Sequence, residues 1–241
     1  MTMRATRTTL PRRERAFVGL RTARERQDWP DCARHLFEVL FGAPVDLQVA
    51  VAQVMLRRYL PVLGTRGDQS RATRLIDDPE GWLSAHHDAT PDDVAAYNPA
   101  DAAFHLAADG LLLACSSKGS PDLVTSACAF SVTQAIEARA INVWVADDPE
   151  AAAAWGRLAT ELAGETAARD LETLAGRTAG QNVAATAVRR REWDEVIAWL
   201  SAGGLVTVPD ADAGELDRSL REWTSRDMCP LTREGRLGAL E

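Results

Sequence analysis

Two histidines and three carboxylates stand close together in "WLSAHHDATPDD", Trp82 to Asp93. Imidazole and carboxylate are the donor types that hold a catalytic metal or relay a proton. The spacing argues against a shared ion. His86 and His87 are adjacent, so on a helix they point about 100° apart, whereas zinc proteases use an i, i+4 pair. Asp92 and Asp93 have a simpler reading: Thr90 is a good N-cap, Pro91 suits the first helical position, and carboxylates in a first turn favour the helix's positive end. The same logic covers "DDPE" at Asp77, Asp78, Pro79 and Glu80, and again at Asp147 to Glu150.

Other candidate groups are read against equally plain explanations. His105 and Asp109 are four apart and share a helix face, where the imidazole could pair with the carboxylate. His35, between Arg34 and Leu36, shows no carboxylate partner in sequence and reads as a boundary residue. In "ACSSKGS", Cys115 or Ser116 lies near Lys118, yet a Ser-x-x-Lys arrangement would need serine where Cys115 stands. A helix ending at Lys118 and Gly119, with a cation at its negative end, explains the segment. The phosphate-loop, dinucleotide and nucleophile-elbow patterns are missing. "RRREW", Arg189 to Trp193, runs into Asp194 and Glu195, so it predicts a solvated face with local ion pairs and no basic stripe. No metal and no cofactor are expected.

These groups must be positioned by helices. Helix starts marked by proline fall near Pro30, Pro44, Pro79, Pro91, Pro99, Pro121 and Pro149. Apolar residues recur at helical spacing, as in Phe104, Ala108, Leu111 and Cys115, or Trp193, Val196, Ile197 and Leu200. Only "LVTV", Leu205 to Val208, alternates like a strand, and it is too short to found a sheet. The expected helices are 12–27, 30–41, 44–60, 68–77, 79–86, 91–97, 99–117, 121–146, 149–163, 165–175, 182–201 and 212–225. That is an all-α chain, an irregular multi-helix bundle of about ten to twelve helices without a substantial sheet. A mobile basic arm over 1–11, a main helical domain over 12–175 and a C-terminal helical extension over 176–241, packed on or near it, divide the chain.

With 241 residues, the chain can bury a core without disulfides, and Cys32, Cys115, Cys128 and Cys229 are too scattered for a zinc site. The arginine-rich start lacks the apolar core of an export signal, and no segment approaches ~20 apolar residues, which predicts a cytoplasmic protein with no membrane partner. Residues 1–74 hold 14 arginines against 7 acids, whereas residues 75–155 hold 13 acids against Lys118 and Arg139. Nucleic acid is a poor partner for that acidic middle, and a basic protein is a good one.

The stretches "YLPVLGTRGDQSRATRLIDDPEGWL" (59–83), "DAAFHLAADGLLLA" (101–114) and "SACAFSVTQAIEARAINVW" (126–144) carry a resemblance. The positions that carry it are Leu60 and Pro61, Gly67 and Asp68, Arg71 and Arg74, and Trp82 with Leu83, matching a family pattern in which a Leu-Pro helix end leads through a Gly-Asp turn to an arginine-containing helix ending in Trp-Leu. Over about residues 30–150 this resembles the helical immunity proteins of bacterial polymorphic toxin systems; the portion after Pro149 departs from that pattern. The resemblance implies a non-enzymatic protein that binds a toxin and occludes its active site. The expected contact surface is Asp77, Asp78, Glu80, Asp88, Asp92 and Asp93, with Trp82 either an aromatic anchor or a core residue. Two other functions compete: a helical metal-dependent hydrolase using His86, His87, His105 and aspartates, and a helical scaffold or regulatory subunit of a larger assembly. The oligomeric state is not fixed by the sequence.

Overall fold

A computed structural model describes residues 11–64, 66–85, 99–150, 153, 182–207 and 212–225. These form nine α-helices and two short 3-10 turns, with no strand among the described residues. The helices are α1 (Arg12–Arg26), α2 (Trp29–Leu40), α3 (Val45–Tyr59), α4 (Arg66–Asp77), α5 (Pro79–Ala85), α6 (Pro99–Ser116), α7 (Pro121–Asp147), α8 (Val183–Ala202) and α9 (Ala213–Ser225). The 3-10 turns are Leu60–Val62 and Leu205–Thr207. Leu205–Thr207 of the strand-like stretch therefore coil into a 3-10 turn, and no strand lies among the described residues to pair with them. The expected helices 91–97, 149–163 and 165–175 lie outside the described residues, apart from Pro149, Glu150 and Ala153, which are helical. Residues 1–10 of the expected arm over 1–11 also lie outside.

The fold is organised by α7. It is buried almost all round from Val124 to Ile141, as befits a helix whose apolar and small residues do not segregate to one side. Helices α6, α3, α8 and α2 pack around it. Small residues let α6 come close: a Cβ at Gly110 would fall 3.0 Å from the Ala127 carbonyl oxygen and from the Phe130 and Ser131 side chains. Ser131 is buried there and donates its hydroxyl to the Ala107 carbonyl at 2.6 Å. That bond satisfies a polar group which burial would otherwise penalise.

Helix ends follow the capping signals only in part. Asp28 caps α2, accepting the Asp31 amide at 3.1 Å, and Asn182 caps α8, accepting that of Ala185 at 2.9 Å. Gln27 ends α1 with φ 59°, a left-handed conformation taken here by a non-glycine residue. Pro44 precedes α3 as its N-cap and does not occupy the first helical position. The C-terminal end of α2 is closed from outside its own sequence: buried Arg13 of α1 donates to the carbonyls of Val39, at 2.9 Å, and Phe41. An arginine suits that place because the last carbonyls of a helix lack partners and carry its negative pole.

Helix α8 belongs to the same core, burying Ala185, Trp193, Val196 and Leu200. Helix α9 lies at the margin with Leu216 buried, and Ser219 donates to Asp122 of α7 at 2.8 Å. No described helix is long and apolar enough to cross a membrane.

Candidate functional site

The expected acidic surface falls on α4 and α5, and the structure gives its carboxylates different roles. Asp78 caps α5, accepting the Gly81 amide at 2.9 Å. A Cβ at 81 would fall 2.1 Å from Asp78 Oδ2, so a larger residue there would push the capping carboxylate aside. Asp77 receives Arg57 from α3, with Nε at 3.0 Å and Nη2 at 2.9 Å, both side chains half exposed. Glu80 is paired with Lys118, which lies just beyond α6. Lys118 is thus tied to a neighbouring helix, not simply placed at its own helix end, and Glu80 holds its ammonium above the usual lysine range.

Trp82 is half buried, with the Arg71 guanidinium of α4 stacked 5.5 Å from its ring centroid, so it is neither a core residue nor fully exposed. Asp88, Asp92 and Asp93 lie outside the described residues, as do His86 and His87. His105 and Asp109 are both exposed on α6 and are not joined within ion-pair distance; burial pushes the Asp109 carboxyl up, and the charge of His105 acts against that shift. No group of three or more His, Cys, Asp or Glu that could hold a metal ion occurs among the described residues.

The nucleophile candidates are occupied. Burial pushes the Cys115 thiol up, and Ser116 donates to the Leu113 carbonyl at 3.0 Å. Burial likewise raises the Cys32 and Cys128 thiols.

Two sequence readings are corrected. His35 does have carboxylate partners: Nδ1 is 3.0 Å from Glu38 Oε2 and Nε2 is 3.7 Å from Asp31 Oδ2. Glu38 is raised by burial, but His35 and Arg34 outweigh this and hold it below the usual carboxylate range. The second correction concerns "RRREW". Arg190 and Arg191 are exposed, but Arg189 is 1% exposed and is paired with buried Glu137 of α7, and Trp193 is fully buried. The segment is not simply a solvated face.

Next to that pair lies a site that spacing did not reveal. Arg58 and Tyr59 of α3, Pro61 and Val62 of the 3-10 turn, Arg139 of α7, and Arg191 and Glu192 of α8 line a cleft of about 210 Å³. At its base Glu192, 1% exposed, accepts the Tyr59 hydroxyl at 2.5 Å and Arg58 Nε at 2.8 Å on Oε2. Its Oε1 accepts Arg191 Nε at 3.1 Å and Nη2 at 2.7 Å. Burial pushes the Glu192 carboxyl up, but bonds from Tyr59, Arg191 and Arg58 prevail and hold it below the usual range. Burial and the carboxylate together push the Tyr59 phenol up, so it stays a donor.

Protein-family models, curated proteins and solved structures give no match to this chain.

One signal in the sequence points to the missed groups. Along α8 the buried stripe runs Ala185, Arg189, Trp193, Val196, Leu200, with Glu192 beside it. Charges set on an apolar stripe must be paired in the fold.

Proposed function

We propose that this chain is a non-enzymatic protein-binding module whose α4–α5 face meets a basic partner. The observation that carries the reading is the Arg71–Trp82 stack: a tryptophan left half buried beside Asp77, Asp78 and Glu80. Tryptophan and arginine are the types that dominate binding hot spots, and flanking charges mainly steer the encounter. Asp77 and Glu80 are held by exposed ion pairs, which are weakly held in water. A partner's cations can therefore replace Arg57 and Lys118 at small cost. Asp78 is committed to capping and is not counted in the contact.

The resemblance to immunity proteins supplies the partner class, a bacterial toxin with a basic cleft. The test is copurification with the polypeptides encoded beside this chain's gene, then the same assay on an Asp77→Lys, Glu80→Lys variant and on Trp82→Ala. The reading expects one such polypeptide to bind the native chain and to lose both variants while their helicity is retained. Undiminished binding by both variants would place the contact elsewhere.

A further inference from the structure

We infer that the cleft between α3, α7 and α8 is a binding site for a small oxyanion, a phosphate or carboxylate group held by Arg139, Arg58 and Arg191. The inference is independent of the α4–α5 reading.

Three guanidinium groups from three helices line one cleft of about 210 Å³ on a chain whose formal net charge is −8. The one carboxylate lining the cleft among the described residues is already committed. Both oxygens of Glu192 are filled by Tyr59, Arg58 and Arg191, so the cleft has little left with which to accept a cation or a hydrogen-bond donor. What it still offers is donors. Arg191 binds Glu192 through Nε and Nη2, which leaves Nη1; Arg58 uses Nε on Glu192 and reaches Glu195 only at 3.7 Å through Nη2.

Arg139 is the least satisfied. Among the described residues its one hydrogen bond is a long one, Nη1 to Asn142 Oδ1 at 3.4 Å, and it makes no ion pair. Buried Glu192 orients the neighbouring guanidiniums, as a supporting shell does in a built site. Tyr59, Pro61 and Val62 supply walls of low polarity, against which charge-assisted bonds are stronger than in water. Planar guanidinium forks match the paired oxygens of carboxylate and phosphate. A cleft of about 210 Å³ has room for an oxyanion head group beside the three guanidiniums.

The experiment is calorimetric titration of the full chain at low ionic strength with inorganic phosphate, and separately with acetate. Saturable one-site binding of either supports the site: phosphate assigns a phosphoryl ligand, and acetate alone assigns a carboxylate. Arg139→Gln should weaken the bound anion roughly ten- to hundredfold and leave the urea midpoint unchanged, because Arg139 makes no ion pair among the described residues. Arg191→Gln is the second variant and should weaken it as well. No saturable binding of either anion would overturn the inference, and so would equal binding by the native chain and both variants.

Discussion

Arg189 of α8 grips Glu137 of α7 through two bonds, Nε to Oε1 at 2.8 Å and Nη2 to Oε2 at 2.6 Å, with both side chains out of solvent. The two residues are 52 positions apart in the chain. The pair fastens the helix that ends the core to the helix at its centre. Its strength is a matter of pairing, since either charge alone would be buried without compensation.

Removing one partner should therefore be much worse than removing both. Glu137→Gln or Arg189→Met is expected to cost about 3–5 kcal/mol, whereas the double variant Glu137→Leu, Arg189→Met should lose far less than either single change. Urea denaturation of the four proteins measures this. Single variants within ~1 kcal/mol of the native chain would show that the pair is not desolvated.

Glu192 and Tyr59 make stability depend on pH at both ends. The folded Glu192 carboxyl lies below its unfolded value, so its contribution is present above the unfolded pKa and is lost as pH falls through the folded one. Glu192→Gln should be less stable than the native chain at neutral pH, with the gap narrowing in acid. Tyr59 is shifted upward, so its contribution is full below the unfolded phenol pKa and falls away as pH rises beyond it. Tyr59→Phe should flatten the alkaline limb. Denaturation midpoints across pH test both, and a gap for Glu192→Gln that widens in acid would contradict the assignment.

A third test concerns the contact of α1 with α2. A Cβ at Gly19 would fall within 2.7 Å of His35 Nδ1 and closer still to Cε1 and Nε2. The ring is held by Glu38 and Arg34, so it does not swing aside freely. Gly19→Ala should destabilise by about 1–3 kcal/mol despite alanine's better helix propensity. His35→Ala in the same chain should restore much of that loss, as a thermal-melt double-mutant cycle will record.

Along α4–α5, architecture and attraction separate by residue. Asp78→Ala removes a cap and should cost about 1 kcal/mol. Asp77→Ala breaks only a half-exposed ion pair and should cost about 0–1 kcal/mol, less so at high salt. A negligible loss for Asp78→Ala would contradict the capping role.

The binding-module reading also forecasts that zinc or manganese leaves the melting temperature unchanged, because nothing in that function uses a metal. A saturable rise with either ion would favour the hydrolase alternative instead.

Much of the fold was legible in the sequence. Pro30, Pro44, Pro79, Pro99 and Pro121 marked helix starts that the structure places within a residue, because the start of a helix is settled between neighbours in the chain. Apolar spacing likewise announced the buried faces of α6 and α8. Of the candidate surface, the capping of α5 by Asp78 was readable for the same reason. Which cation neutralises Asp77 or Glu80 was not, since Arg57 arrives from α3 and Lys118 from the turn after α6.

The sequence by itself determined that this chain is helical and where most of its helices begin, since those choices are settled over three or four residues. Only the tertiary structure decided which charges are buried and what they hold. Tyr59 and Glu192 are 133 positions apart, and Arg139 joins their cleft from a third helix. No spacing rule reaches that far, because helix packing alone brings such side chains within hydrogen-bond distance.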